Sequence, residues 1–124
     1  MATIQISELK KFCKDALVHE GMKEDYATIT AEVLAETDAF GTNSHGTKNL
    51  YGYIKKARVG GVDLKAEPEI VREGAACAVI DAHNALGMVG SWMGMSHAIE
   101  KAKKAGIALV TVKNSCHFGA AGYY

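Results

Sequence analysis

The chain has 124 residues, 14 Lys+Arg against 14 Asp+Glu and a formal net charge of zero. That length is one domain at most, and the charge balance lacks the basic excess or patch that nucleic acid or an anionic membrane would need. Hydrophobic residues at 48% and charged ones at 23% fit an ordinary globular protein that buries roughly two-thirds of its unfolded surface.

The elements follow in order. Thr3 to Ile6 is a short apolar lead-in. Ser7 is the expected N-cap of a first helix, with Glu8 in the turn where the helix dipole favours an acid. Leu9, Phe12, Cys13, Ala16 and Leu17 share one helical face, and Gly21 ends the helix. A second helix is expected from about Lys23 to Phe40, with an apolar stripe of Tyr26, Ile29, Val33, Leu34 and Phe40. The two should form an antiparallel hairpin. Gly41 to Gly46 breaks the periodicity and reads as a loop. A third helix carries Leu50, Tyr53, Ile54 and Ala57 on one face and stops at Gly60-Gly61.

Pro68 precedes a strand-like Glu69 to Arg72; Glu73-Gly74-Ala75 is a turn, and Cys77 to Asp81 a second strand, together a hairpin. Leu86 to Ala105 is helical, rich in small residues and methionine, and apolar on nearly all sides through Trp92, Met88, Met93 and Met95. Such a helix should be enclosed by a sheet, by further chain or by a partner. After Gly106, Ile107 to Val112 reads as an apolar, β-branched strand of the buried kind. The expected class is therefore α/β, with residues 1–60 a helical part and residues 61–124 a mixed helix and strand part.

No apolar run reaches the roughly 18 residues a membrane span needs. The segment from Met1 to Glu20 is amphipathic rather than signal-like. Cys13, Cys77 and Cys116 are odd in number and form no C-x-x-C pair, which fits reduced thiols and a cytoplasmic location.

Two places carry candidate chemistry, Asn43-Ser44-His45-Gly46-Thr47 and Asn114-Ser115-Cys116-His117-Phe118-Gly119. Each pairs a histidine, able to exchange a proton near neutral pH, with a serine and a glycine. One site assembled from both loops is expected, with His45 and His117 meeting across a shared pocket. Ser44 could orient the His45 ring or hydrogen-bond a carbonyl oxygen; it is not an obvious nucleophile, because adjacent side chains seldom face one another. For the same reason a Cys116–His117 nucleophilic dyad is disfavoured, and Cys116 should be packed. His19, His83 and His97 have weaker claims, His97 as a structural mid-helix residue.

A zinc site from His45, His83, Cys116 and His117 lacks ligand pairs at short spacing, so no metal is expected. Gly41 to Lys48 imitates a phosphate loop, but Thr47-Lys48 is in the wrong order and a helix, not a strand, precedes it. No G-x-G-x-x-G is present.

In order and spacing, the Ala39-x-x-x-x-Ser44-His45-Gly46 loop, Leu50-x-x-Tyr53, Gly60-Gly61, the Asp81 to Gly87 step and Val112-x-x-Ser115-x-His117-Phe118-Gly119-x-Ala121-Gly122-Tyr123 resemble the malate/L-lactate dehydrogenase family. This is the non-Rossmann group that includes ureidoglycolate, sulfolactate and diketogulonate enzymes. The resemblance implies hydride transfer between NAD or NADP and a small 2-hydroxy or 2-oxo acid, an α/β fold with its own cofactor architecture, and a homodimer. It implies His45 as the proton donor or acceptor at the substrate oxygen, Ser44 as its support and His117 as a second candidate for that role. Many members carry a carboxylate-gripping arginine four residues after the first histidine; Asn49 stands there and is the candidate substrate contact. Lys48 should point about 100° away from it on a helix. Members are far longer, so the chain is expected to be an N-terminal segment whose cofactor-binding remainder is missing, inactive alone. The alternative is a non-catalytic assembly or binding module that retains only the helical dimer surface.

Overall fold

The computed structural model describes residues 3–124; Met1 and Ala2, the start of the amphipathic segment, lie outside them. Helix α1 spans Ile6–His19 and α2 spans Glu24–Ala39. Lys10 bonds Glu36 at 2.5 Å while Lys14 bonds Glu24 at 2.7 Å, so the two helices run antiparallel. The turn between them uses Gly21 at φ +94°, where a Cβ would be strained. Helix α1 is capped two residues earlier than expected, at Gln5 rather than Ser7. Gln5 holds the cap position and no side chain caps it, because the backbone carbonyl of Gln5 already receives the N–H groups of Glu8 and Leu9.

Helix α3 spans Leu50–Arg58. Cys13, Leu17, Met22, Ala27, Ala31, Val33, Leu34, Leu50 and Ile54 interlock α1, α2 and α3 in one core, joined by Val62 and Leu64 and by Leu86, Met88 and Val89. Burying side chains of this kind contributes about 1.5–3 kcal/mol each. Phe12 and Phe40, both placed on apolar stripes by their spacing, stand outside it, 64% and 63% exposed. Phe40 is the residue after α2, where the helical register no longer aims a side chain inward.

Strands β1 (Glu69–Glu73) and β2 (Cys77–Asp81) form the antiparallel hairpin, with a register shift between Ile70 and Arg72. Helix α4 (Gly87–Ala105) then crosses over to β3 (Leu109–Lys113), which pairs parallel with β2, Ile80 opposite Val112. The sheet order is β1-β2-β3. Helix α4 lies on one face because Gly90 and Gly94 let it approach: a Cβ on either would come within 3.1 Å of Val112.

The expectation that β3 is buried is not met. It starts at Leu109 rather than Ile107, and its residues alternate between exposed and half-buried. Val110 and Val112 face α4, whereas Leu109 is 67% exposed and Ile107 78%. A parallel strand needs a layer on each face to be buried, and these residues build only one. Helix α4 is likewise not enclosed: Trp92, Met95 and Ile99 are 41%, 40% and 48% exposed. Among the described residues no helix is long and apolar enough to cross a membrane.

Candidate active site

The loop after α2 is not shapeless. It folds into two short 3₁₀ turns, Asn43–His45 and Thr47–Asn49, that lead directly into α3. Asp38, at the end of α2, fixes the second turn by accepting the Thr47 backbone N–H at 2.9 Å and its hydroxyl at 2.5 Å. Within the first turn, Ser44 Oγ lies 2.8 Å from His45 Nδ1. The two neighbouring side chains therefore do meet, because a 3₁₀ turn does not alternate its side chains as a strand does.

Asn49, the N-cap of α3, donates one amide N–H to the Ser44 carbonyl at 2.9 Å and braces the loop. Lys48 sits on the 3₁₀ turn rather than on an α-helix and is exposed. The segment 41–48 lies between two helices, not after a strand, so its glycine spacing has no phosphate-loop context.

The second loop leaves the carboxyl end of β3, the end at which ligands gather in parallel sheets. Asp81, the last residue of β2, holds it there. Its carboxylate accepts the Asn114 amide at 3.0 Å to both oxygens, the His83 backbone N–H at 2.9 Å, and pairs with Lys113 at 3.2 Å. Asn114 and His83 both have positive φ, +52° and +48°, so these bonds hold backbone in a region most residues avoid. The His83 N–H, then the Asn114 amide and Lys113, draw the Asp81 carboxyl down to about 2 against the opposing effect of desolvation.

Cys116 is half-buried with its sulfur 3.3 Å from the Gly87 N–H at the start of α4. It packs against the core and forms no dyad with His117. His117 points the other way. Its Nδ1 accepts the Gly119 N–H at 3.1 Å, and the Tyr53 hydroxyl lies 3.1 Å from the same nitrogen. A backbone N–H can only donate, so the neutral ring carries its proton on Nε2. Burial, then the neighbouring Cys116, raises the Tyr53 phenol above its ordinary value, leaving it a neutral donor.

The two loops converge. The His45 and His117 rings lie 5.3 Å apart between centroids, tilted by 35°. With Ser44, Asn49, Gly52, Tyr53 and Lys56 they line an open cavity of about 280 Å³. The sequence reading placed Ser44, His45, Asn49 and His117 here, and the structure brings all four together. It did not single out Tyr53 or Lys56 as lining residues, nor Asp38 and Asp81 as anchors. Tyr53 and Lys56 were findable: Asn49, Gly52, Tyr53 and Lys56 follow the i, i+3, i+4, i+7 spacing of one helix face.

The weaker histidines lie elsewhere. His83 faces Glu69 at 3.4 Å, and His97 bonds Glu73 at 2.9 Å, tying α4 to β1. Among the described residues no group of three or more His, Cys, Asp or Glu side chains could hold a metal ion.

The loop and cavity geometry sits within a wider likeness. The family model for malate/L-lactate dehydrogenase matches residues 4–124. The chain is 40% identical over 117 residues to the malate dehydrogenase of Pyrococcus abyssi, covering 94% of this chain and 32% of that protein. It is 41% identical over 115 residues to the L-sulfolactate dehydrogenase of Methanocaldococcus jannaschii, covering 93% and 33%. The crystal structure of malate dehydrogenase from Entamoeba histolytica superposes with a TM-score of 0.95 at 37% identity, over 99% of this chain and 34% of that one. The chain thus spans about a third of the length of the relatives it matches. Matched along nearly all of its own sequence, it belongs to the malate/L-lactate dehydrogenase family of oxidoreductases.

Proposed function

We propose that this chain supplies the acid-binding and proton-transferring part of an NAD(P)-dependent dehydrogenase that interconverts a small 2-hydroxy acid and its 2-oxo acid. The observation that carries the reading is the convergence of His45 and His117 on one cavity. Reducing a carbonyl puts charge on its oxygen as the hydride arrives, and a positioned imidazole can deliver the compensating proton.

His45 is assigned that proton. Its Nδ1 is held by Ser44, whose hydroxyl can accept from a protonated ring, and Nε2 is left free. A second proton on His117 would displace the Gly119 N–H from Nδ1. His117 instead offers its Nε2–H as a hydrogen bond to the bound acid, with Tyr53 fixing the ring. When bound, the nicotinamide supplies the hydride.

The residues present do not fit the dinucleotide itself. At about 280 Å³ the His45–His117 cavity suits a small acid rather than a dinucleotide. The 124 residues alone are expected not to oxidise NADH with any 2-oxo acid. The three free cysteines fit a cytoplasmic protein, and a homodimer is the proposed assembly.

The test is a titration with oxamate, a stable isostere of a 2-oxo acid, followed through the imidazole signals by NMR. Shifts of both His45 and His117 support the reading. Shifts of neither would favour the non-catalytic assembly module, for which the exposed Trp92, Met95 and Ile99 of α4 are the supporting observation.

A further inference from the structure

Helix α3 presents Gly52, Tyr53 and Lys56 to the cavity, with Asn49 at its N-cap. Three of its lining groups carry or can acquire positive charge, Lys56 and the two imidazoles, and none is acidic. Lys56 is the permanent cation among them. Among the described residues no carboxylate lies within ion-pair distance of it, although α1, α2 and β1 all carry paired lysines or glutamates. Asn49 is neutral and has one of its two amide N–H groups committed to the Ser44 carbonyl.

Two glycines shape the space around this ammonium. Gly52 is the third residue of α3, and a Cβ built on it would meet nothing within 4 Å. No packing demand explains a residue that weakens a helix, whereas open space on the cavity side does. Gly61 is the reverse case: a Cβ there would lie 2.7 Å from Lys56 Cγ and 3.3 Å from its Cε. The bare backbone of Gly61 is the bed on which the lysine stem lies, and it limits where the ammonium can go.

We propose that Lys56 grips the carboxylate of the bound acid, with Gly52 leaving the room for it and Gly61 seating the lysine stem. The assignment rests on the reading of the His45–His117 cavity as an acid site and deepens it. It makes the specificity electrostatic: the site takes an anion and discriminates against the neutral amide of the same acid.

The chain is titrated with pyruvate and, separately, with its neutral amide pyruvamide, reading the His45 and His117 ring signals. The wild-type chain is expected to bind pyruvate at least tenfold more tightly than pyruvamide. Lys56→Met is expected to abolish that preference by weakening pyruvate alone, Lys56→Arg to keep most of it, and Gly61→Ala to reduce it while the charge remains. Lys56 is exposed, so its variants should fold, and an unchanged amide spectrum checks that. If Lys56→Met binds pyruvate as the wild type does, the lysine assignment is overturned and the acid site stands. If neither probe shifts either ring in the wild type, both are overturned.

Discussion

The Asp38 carboxylate occupies the position that a side chain on Gly46 would take: a Cβ built there would lie 1.8 Å from Asp38 Oδ1. The same carboxylate holds Thr47 by two hydrogen bonds. Gly46→Ala should therefore expel Asp38 and release the turn that carries His45. The expected loss is about 1–3 kcal/mol, measured by urea unfolding. Asp38→Asn keeps one acceptor oxygen and should lose less. Equal stability of Gly46→Ala and the parent chain would remove the link between these two residues.

The second loop has its own point of contact. A Cβ on Gly87 would lie 2.3 Å from the Cys116 carbonyl oxygen and 2.4 Å from that of His117. Gly87→Ala must push the start of α4 and the loop apart, at a cost of about 1–3 kcal/mol. The cavity should open with it. In NMR the contact between the His45 and His117 rings is expected to weaken, while core signals such as that of Leu34 stay in place.

Asp81 sets an acid limit on stability. Its folded value of about 2 lies below the ordinary range of about 3.9 for an unfolded aspartate. A depressed carboxyl stabilises the fold above its unfolded value and loses that contribution as pH falls through the folded one. The stability gap between the parent chain and Asp81→Asn should therefore be full at pH 5 and narrow between about pH 4 and 2. Urea midpoints across that range provide the check, and a constant gap contradicts it.

The cysteines should separate by reactivity. Cys13 is fully buried, and burial, then the nearby Asp38 charge, raises its thiol to about 11. Cys77 is exposed and Cys116 half-buried. With a chromogenic disulfide reagent at pH 8, Cys77 should react first and Cys116 more slowly. Cys13 should react only after unfolding. Prompt reaction of all three would mean that α1 does not hold its packing.

Gly52 tests fold against site. Gly52→Ala should stabilise α3 by about 0.5–1 kcal/mol, since the added methyl meets open space. The same methyl intrudes on the cavity, so pyruvate affinity should fall. A variant both more stable and equally avid would show that the glycine leaves no room that a ligand uses.

Much of this architecture could be read from local sequence. Cys77–Asp81 is found as expected because its short apolar run and the Glu73-Gly74-Ala75 turn before it are both local signals. Gly21, Gly60 and Gly106 end their helices at positive φ, as glycine in those places suggests. The two histidine loops stood out through their residue types. What escaped was non-local. Asp81 acts on Asn114, 33 positions later, and nothing in its own neighbourhood signals that. Asp38 left a fainter trace: an acid in the last turn of α2 opposes the helix dipole, which asks for a specific partner. The exposure of β3 escaped for another reason. Its apolar composition describes a strand with layers on both faces, and composition does not say which residues provide the second layer.

The bulge between Ile70 and Arg72, together with the charges of Glu69, Arg72 and Glu73, blunts the β1 margin of the sheet. The β3 margin has no such guard: Leu109 to Lys113 is regular, free of proline and mostly apolar. Its outward N–H and C=O groups form a template that another extended segment can zip onto. The handling consequence is asymmetric stickiness. Self-association of this chain should grow with concentration, begin at β3, and be suppressed by Thr111→Lys on the uncovered face of that strand while the β1 side stays inert.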